Sequence, residues 1–175
     1  MANLIADALA RIEKLPAFAR NWATNFAFHR AVPYVGTTRI EYEIVSPQKW
    51  VASVPNVRPV RNHLRQVHAG AMITVAESVA VTMMAQNLPP DALPLVKSLE
   101  AKFVKKSKGR IRATAILTDE QLRMIREEPK GEITIEVEVV DESGEAPVLV
   151  TVVPAWHPRR RRATAASVEA SESRQ

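Results

Sequence analysis

Residues 62–84 read NHLRQVHAGAMITVAESVAVTMM, and they divide into a polar loop and an apolar helix that the rest of the chain must surround. Pro55 and Pro59 lead into the loop; they fix their own φ and keep Val54 and Arg58 out of helical geometry. The helix begins near Ala69. From there to residue 84, Met72, Ile73, Val75, Ala76, Val79, Ala80, Val81, Met83 and Met84 cover nearly the whole circumference, the pattern of a core helix. Glu77 is its one ionisable side chain, and its neighbours a turn away, Ile73, Thr74, Ala80 and Val81, include no cation. A lone carboxylate there is costly, so it should have a raised pKa or a task, and it is a candidate general base.

Outward from the helix the hydrophobic period is two. On the N-terminal side Ile40, Tyr42 and Ile44 alternate with Arg39, Glu41 and Glu43, a half-buried strand, and Trp50, Ala52 and Val54 continue as its partner across Ser46-Pro47-Gln48. Pro89 and Pro90 end the helix. Beyond them Leu99, Ala101 and Phe103 share one face, and a turn at Ser107-Lys108-Gly109 leads, as in a hairpin, to Ile111, Ala113, Ala115 and Leu117. Thr118 with Gln121 forms a capping-box pair that opens a short helical insert over 118–128. Ile133, Ile135, Val137 and Val139 alternate with Glu132, Thr134, Glu136 and Glu138 in the clearest strand of the chain, and Ser143-Gly144 turns it into residues 148–153. Six strands and one apolar helix imply an α+β fold, an antiparallel sheet curled around the helix so that both apolar faces are buried at once.

The flanks are different. Residues 1–32 read as two helices that pack on the domain, one carrying Leu4, Ile5, Ala8, Leu9 and Ile12, the other Phe18, Trp22 and Phe26, with Pro16 between them. Several arginines and few acids there suggest a transit peptide, but Asp7, Glu13 and the large aromatics favour ordinary packing helices. Residues 33–156 form the domain. From 157 the chain is Pro, Arg, Ala and Ser without periodicity, the composition of a disordered tail.

With 175 residues, 46% hydrophobic and 25% charged, the chain suits one soluble globular domain. It has no cysteine, which excludes disulfides and thiolate chemistry and suits a cytoplasmic location. No apolar run approaches the length of a membrane span. Of the net charge of +5, the segment from Pro158 onward supplies +3, because Arg159, Arg160, Arg161, Arg162 and Arg174 face only Glu169 and Glu172. The remainder is nearly balanced, which argues against a nucleic-acid surface.

There is no Gly-x-Ser-x-Gly elbow, no phosphate-cradling glycine loop and no His-Glu-x-x-His, and His29, His63, His68 and His157 have no metal-ligand spacing. What remains is amide, backbone and carboxylate chemistry around the helix. A helix starting at Ala69 presents free N–H groups at its positive end, suited to an oxyanion. Glu77 lies eight residues on, roughly 12 Å along the helix. One carbonyl cannot meet both. If donor and base serve one reaction they come from different subunits, through two such helices side by side in opposite directions.

Asn62, His68-Ala69-Gly70 and Glu77, followed by residues 103–109, resemble the hotdog-fold acyl-CoA thioesterases of the phenylacetate-pathway type, over about residues 33–153. That family has an Asn, then His-Gly-Gly, then an acid nine residues after the His, which is the interval between His68 and Glu77. The resemblance implies a hotdog fold and hydrolysis of an acyl-CoA or acyl-carrier thioester, with no cofactor beyond the coenzyme A of the substrate. Glu77 would be general base or nucleophile, the Ala69 or Gly70 N–H would polarise the thioester carbonyl, Asn62 would position substrate or water, and His68 would shape the loop. It also implies a dimer, or a dimer of dimers, with sites at the interface. Ala69 replaces the first glycine of the pattern, and Val81 lacks a hydroxyl that some members carry.

Lys105, Lys106, Lys108 and Arg110 surround the following turn, either as contacts for coenzyme A phosphates or as a solvated hairpin tip. Asn62 could equally close an Asx turn. Two other functions fit the pattern. His63 lies fourteen residues before Glu77, an interval also found in hotdog dehydratases and hydratases, though their proline-glycine pattern is missing. Ala69 and Val81 also suit a non-catalytic acyl-CoA-binding protein.

Overall fold

The computed structural model describes residues 3–159, and the expected helix runs through it as α4, Ala69–Asn87. Ahead of it come α1 (Leu4–Ile12), α2 (Ala17–Ala31), α3 (Pro33–Thr37), β1 (Glu41–Val45) and β2 (Lys49–Val54). After it come β3 (Ala92–Phe103), β4 (Ile111–Ile116), α5 (Asp119–Glu127), β5 (Gly131–Glu132), β6 (Ile135–Asp141) and β7 (Val148–Pro158). All strand pairs are antiparallel, in the order β1-β2-β4-β6-β7-β3, with the short β5 also paired to β7. The sheet curls around α4, the arrangement of a hotdog domain. Val75, Ala76, Val79, Ala80, Met83 and Met84 are fully buried against it. By length and composition α4 is apolar enough to cross a membrane, contrary to the expectation that no run approached that length. Here the sheet fills the place that lipid would take.

Local rules explain most of the elements. The alternation over Ile133, Ile135, Val137 and Val139 holds as a burial pattern, but the one strand expected there is split at residues 133–134 into β5 and β6, which makes seven strands instead of six. The capping box of α5 forms, as the Gln121 N–H donates to Thr118 Oγ1 (3.1 Å) and the Thr118 N–H to Gln121 Oε1 (2.9 Å). Asn3 caps α1 and also donates from Nδ2 to the Ala85 and Leu88 carbonyls, tying α1 to the far end of α4.

Four further expectations are corrected. β3 and β4 do not form a hairpin. β3 pairs along its whole length with β7, from Ala92 opposite Pro158 to Phe103 opposite Val148, while β4 lies between β2 and β6. Residues 104–110 therefore cross the end of the sheet. A bulge between Tyr42 and Ile44 breaks the alternation of β1 and turns Ile44 outward. His157 and Pro158, read as the start of a disordered tail, end β7; the rest of that reading, from residue 160, lies outside the described residues. Finally, Phe18, Trp22 and Phe26 do not pack inward. Thr24 and Phe28 are the buried residues of α2, with Phe28 against Tyr42 and Trp50 at ring distances of 4.8 and 5.4 Å. Asn25 fixes that rotation, since it accepts the Tyr42 N–H (2.7 Å) and donates to the Tyr42 carbonyl (3.0 Å).

Candidate functional site

The loop before α4 is organised by Asn62. Its Oδ1 accepts the Leu64 N–H (2.9 Å) and the Gln66 N–H (3.1 Å), the Asn62 N–H donates to the Gln66 carbonyl (2.8 Å), and Arg65 takes a φ of 59° to close the turn. Two backbone donors on one oxygen fix the amide orientation. Nδ2, with two hydrogens, has no acceptor among the described residues. The Asx turn and an available donor thus coexist in one side chain.

His68 is the N-cap of α4. Its Nδ1 accepts the Gly70 N–H (2.9 Å), and its carbonyl accepts the Ala71 and Met72 N–H groups (2.9 and 3.2 Å). Of the donors at this helix end, the Ala69 N–H alone has no acceptor among the described residues. The exposed His68 imidazole is therefore a structural cap, and it engages the Gly70 N–H that was one of the two expected oxyanion donors.

The crossing segment after β3 closes over this helix end. Asp141 anchors it, with Oδ2 accepting the Lys108 N–H (2.7 Å) and Oδ1 accepting from the Ser143 N–H (2.8 Å), the Ser143 hydroxyl (2.6 Å) and the Glu145 N–H (3.3 Å). Burial of Asp141 acts to raise its pKa, but the hydrogen bonds from Ser143, Lys108 and Glu145 prevail and hold it below the ordinary carboxylate range. Gly109 makes the bend at φ +64°, where a Cβ would collide with Glu142. So placed, Ser107 is 3% exposed and its hydroxyl has no hydrogen-bond partner among the described residues.

These parts border an open pocket of about 380 Å³ at the N-terminus of α4. Asn62, Gln66 and Ala69 line one side and residues 103–107 the other, with Met72 and Val67 at the apolar end. Two expected cations, Lys105 and Lys106, are on its wall. Lys105 is ion-paired with Glu145, and the Lys106 ammonium has no partner among the described residues. Lys108 is exposed beside the cavity. Arg110 is directed elsewhere, donating to Glu41 (2.6 Å) and to Ser53 Oγ (2.8 Å). The helix end and the lysines make this a site for negative charge.

Glu77 is not in that cavity. It lies two turns along α4, in a stripe of partly exposed residues, Gly70, Ile73, Thr74, Glu77 and Val81; elsewhere on the helix only Ala69, Thr82 and Gln86 are not buried. Its carboxylate forms no hydrogen bond or ion pair among the described residues, and burial raises its pKa. Its charge reaches the Tyr42 phenol, whose own pKa is pushed up to about 12, chiefly by burial, against hydrogen bonds with Thr82 and Ser78 that lower it. The Thr74 hydroxyl, on the same stripe, donates to the Gly70 carbonyl (2.8 Å), and Val81 adds none. His63 is exposed in the loop and does not line the cavity. No group of residues among those described could hold a metal ion.

The sequence reading singled out Asn62 and Ala69 but not Ser107, which it took as a turn residue. A serine among Lys105, Lys106 and Lys108 gives no sign of burial; only the crossing of the segment over the helix end hides it.

A family model described as a domain of unknown function, DUF4442, matches residues 20–156. Among curated proteins none matches the chain. Among solved structures, a Pseudomonas aeruginosa protein of unknown function described as a probable thioesterase is 23% identical, over 83% of this chain and 97% of that one, with a TM-score of 0.70. A Haemophilus influenzae thioesterase is 11% identical over 82% and 94%, with a TM-score of 0.65. A Silicibacter pomeroyi protein of a thioesterase family is 17% identical over 76% and 94%, with a TM-score of 0.60. At these identities the likeness establishes the hotdog fold.

Proposed function

The chain belongs to the DUF4442 family, and within it we propose that this protein is a hydrolase of acyl-CoA or acyl-carrier thioesters, working at a homodimer interface. The observation that carries the reading is the meeting, on one pocket, of two donors with no acceptor among the described residues, the Ala69 N–H and Asn62 Nδ2, with the buried Ser107 behind them. Structural neighbours described as thioesterases support the same reaction class.

The thioester carbonyl sits with its oxygen at the Ala69 N–H, on the helix axis. Water attacks the carbonyl carbon while a Glu77 carboxylate removes its proton, and the negative charge that forms on oxygen is held by that N–H and the helix end. Collapse breaks the C–S bond, and the departing thiolate takes the proton from Glu77. The products are a carboxylic acid and a free thiol. Lys106 and Lys105 lie where phosphates of coenzyme A or of a carrier arm would be met.

Glu77 of the same protomer is too far along the helix to serve, so the base comes from a second copy. Two features support that assembly. β3 is a twelve-residue edge strand with Leu95, Val96 and Phe103 exposed, a long edge of the kind that pairs with another chain. The stripe through Glu77 is a partly open side of α4, and a second α4 laid antiparallel along it brings each Glu77 toward the other helix's N-terminus. A cytoplasmic location belongs to the same reading and rests on the absence of cysteine.

Release of free thiol from short, medium, long and aromatic acyl-CoAs, with Glu77→Gln in parallel, tests the proposal. Turnover that disappears in the variant while the oligomer persists is the expected result. A well-folded dimer that binds acyl-CoA tightly and turns none over would overturn hydrolysis in favour of a binding protein.

A further inference from the structure

The outer face of α2 is apolar where a solvent-facing helix should be polar. Phe18, Trp22 and Phe26, spaced four residues apart on one side of the helix, are 88%, 70% and 60% exposed, and the Trp22 and Phe26 rings stack at 5.4 Å. A contiguous aromatic surface of this kind marks a contact site. Its charge indicates the partner. From residue 14 to 40 there is no Asp or Glu, while Lys14, Arg30 and Arg39 are exposed and in no ion pair among the described residues; Arg20 lies on the other side of the helix, beside Glu13 and Glu43, and does not belong with these three. The acids of the neighbouring strand do not neutralise them, because Glu41 pairs with Arg110 and Glu43 with Arg112. Aromatic rings on one helix face, flanked by cations without acids, are the composition of a helix that lies in the headgroup layer of an anionic bilayer.

We infer that the α2 face is a peripheral membrane-binding surface for anionic phospholipid. A second copy of the chain is the less fitting occupant. α2 packs on β1, the sheet edge opposite β3, so a dimer built across β3 leaves the α2 face uncovered, and two copies meeting there would bring unpaired cations together. The inference is independent of the thioesterase reading; both can hold, or either alone.

The molecule contains its own reporter. Trp50 and Trp156 are buried and Trp22 is the exposed tryptophan, so a lipid-induced change in emission belongs to Trp22. The full-length protein is titrated with vesicles of phosphatidylcholine alone and of an equimolar mixture with phosphatidylglycerol, and sedimented with each. The anionic vesicles should shift Trp22 emission to the blue, with binding at least tenfold stronger than to the neutral ones and weakened by salt. Phe18→Ser with Phe26→Ser keeps the reporter and removes two of the three anchors; it should lower binding at least tenfold and leave hydrolysis of soluble acyl-CoA unchanged. Binding that survives the double substitution, as it would through the arginines 159–162, overturns the assignment. So does equal binding to neutral vesicles, no binding at all, or a Trp22 already shielded from aqueous quencher without lipid in an oligomer that the double substitution dissociates.

Discussion

Glu77 combines the proposed chemistry with an unfavourable burial, and the two separate by experiment. Its pKa is raised by desolvation, so folding favours the protonated carboxyl. The stability it contributes is fully present below the unfolded carboxylate value, about 4.3, and is lost as pH rises through the higher folded value. Glu77→Gln should therefore be at least as stable as wild type at pH 7 in thermal unfolding, while thioester hydrolysis falls about 10²–10⁴-fold. In the wild type, activity should decline on acidification at a pH above the ordinary glutamate range, because the base must be ionised. At Ser107 burial alone is at stake: removing a buried hydroxyl with no partner among the described residues should leave Ser107→Ala equally or more stable, by up to about 1 kcal/mol in thermal unfolding. Asn62→Asp keeps the oxygen that accepts from Leu64 and Gln66 but removes the Nδ2 hydrogens. A folded enzyme with kcat/KM lowered about tenfold is expected, and unchanged kinetics would reduce Asn62 to its turn.

At the scale of elements, the segment 104–110 holds the site together through Asp141. Asp141→Asn sets an amide nitrogen against the Lys108 N–H or one of the Ser143 and Glu145 donors and should cost about 2 kcal/mol in urea unfolding. Because hydrogen bonding depresses the folded pKa of Asp141, its contribution is present above the unfolded aspartate value and is lost as pH falls through the lower folded one. The variant should lack that acid-labile component. This segment is also where the limits of reading the sequence are plainest. Periodicity located β6 through Ile135, Val137 and Val139, and the all-round apolarity of 69–84 located the central helix, because each is a local consequence of which face is covered. Ser107-Lys108-Gly109 was equally clear as a bend, but a bend says where the chain turns and not which strand it joins, so β3 was paired with β4 rather than placed at the edge on β7. Ala69 was legible as the start of the helix, and Asn62 through the family resemblance. Ser107 was not, since its burial depends on a crossing between distant strands. The α2 aromatics were misplaced for the converse reason: large rings usually pack, and only the Asn25 to Tyr42 hydrogen bonds turn them outward.

In the whole molecule the proposed second copy would cover both the outer β3 edge and the partly open stripe on α4, and would join the two halves of the proposed site. Val81→Arg places a charge in that stripe away from the cavity and should shift the sedimentation equilibrium toward monomer and abolish hydrolysis in parallel; an active monomer would separate the two. The central claim is that donor and base come from different protomers. Ala69→Pro deletes the unsatisfied N–H at the first helical position, where proline is tolerated and the extended His68 already suits it. Ala69→Pro and Glu77→Gln should each be inactive alone. Refolded together at equal concentration, half of the dimers are mixed and each mixed dimer has one intact site of two, so thiol release should return to about a quarter of wild type. Mixed dimers that form and remain inactive would contradict the shared site.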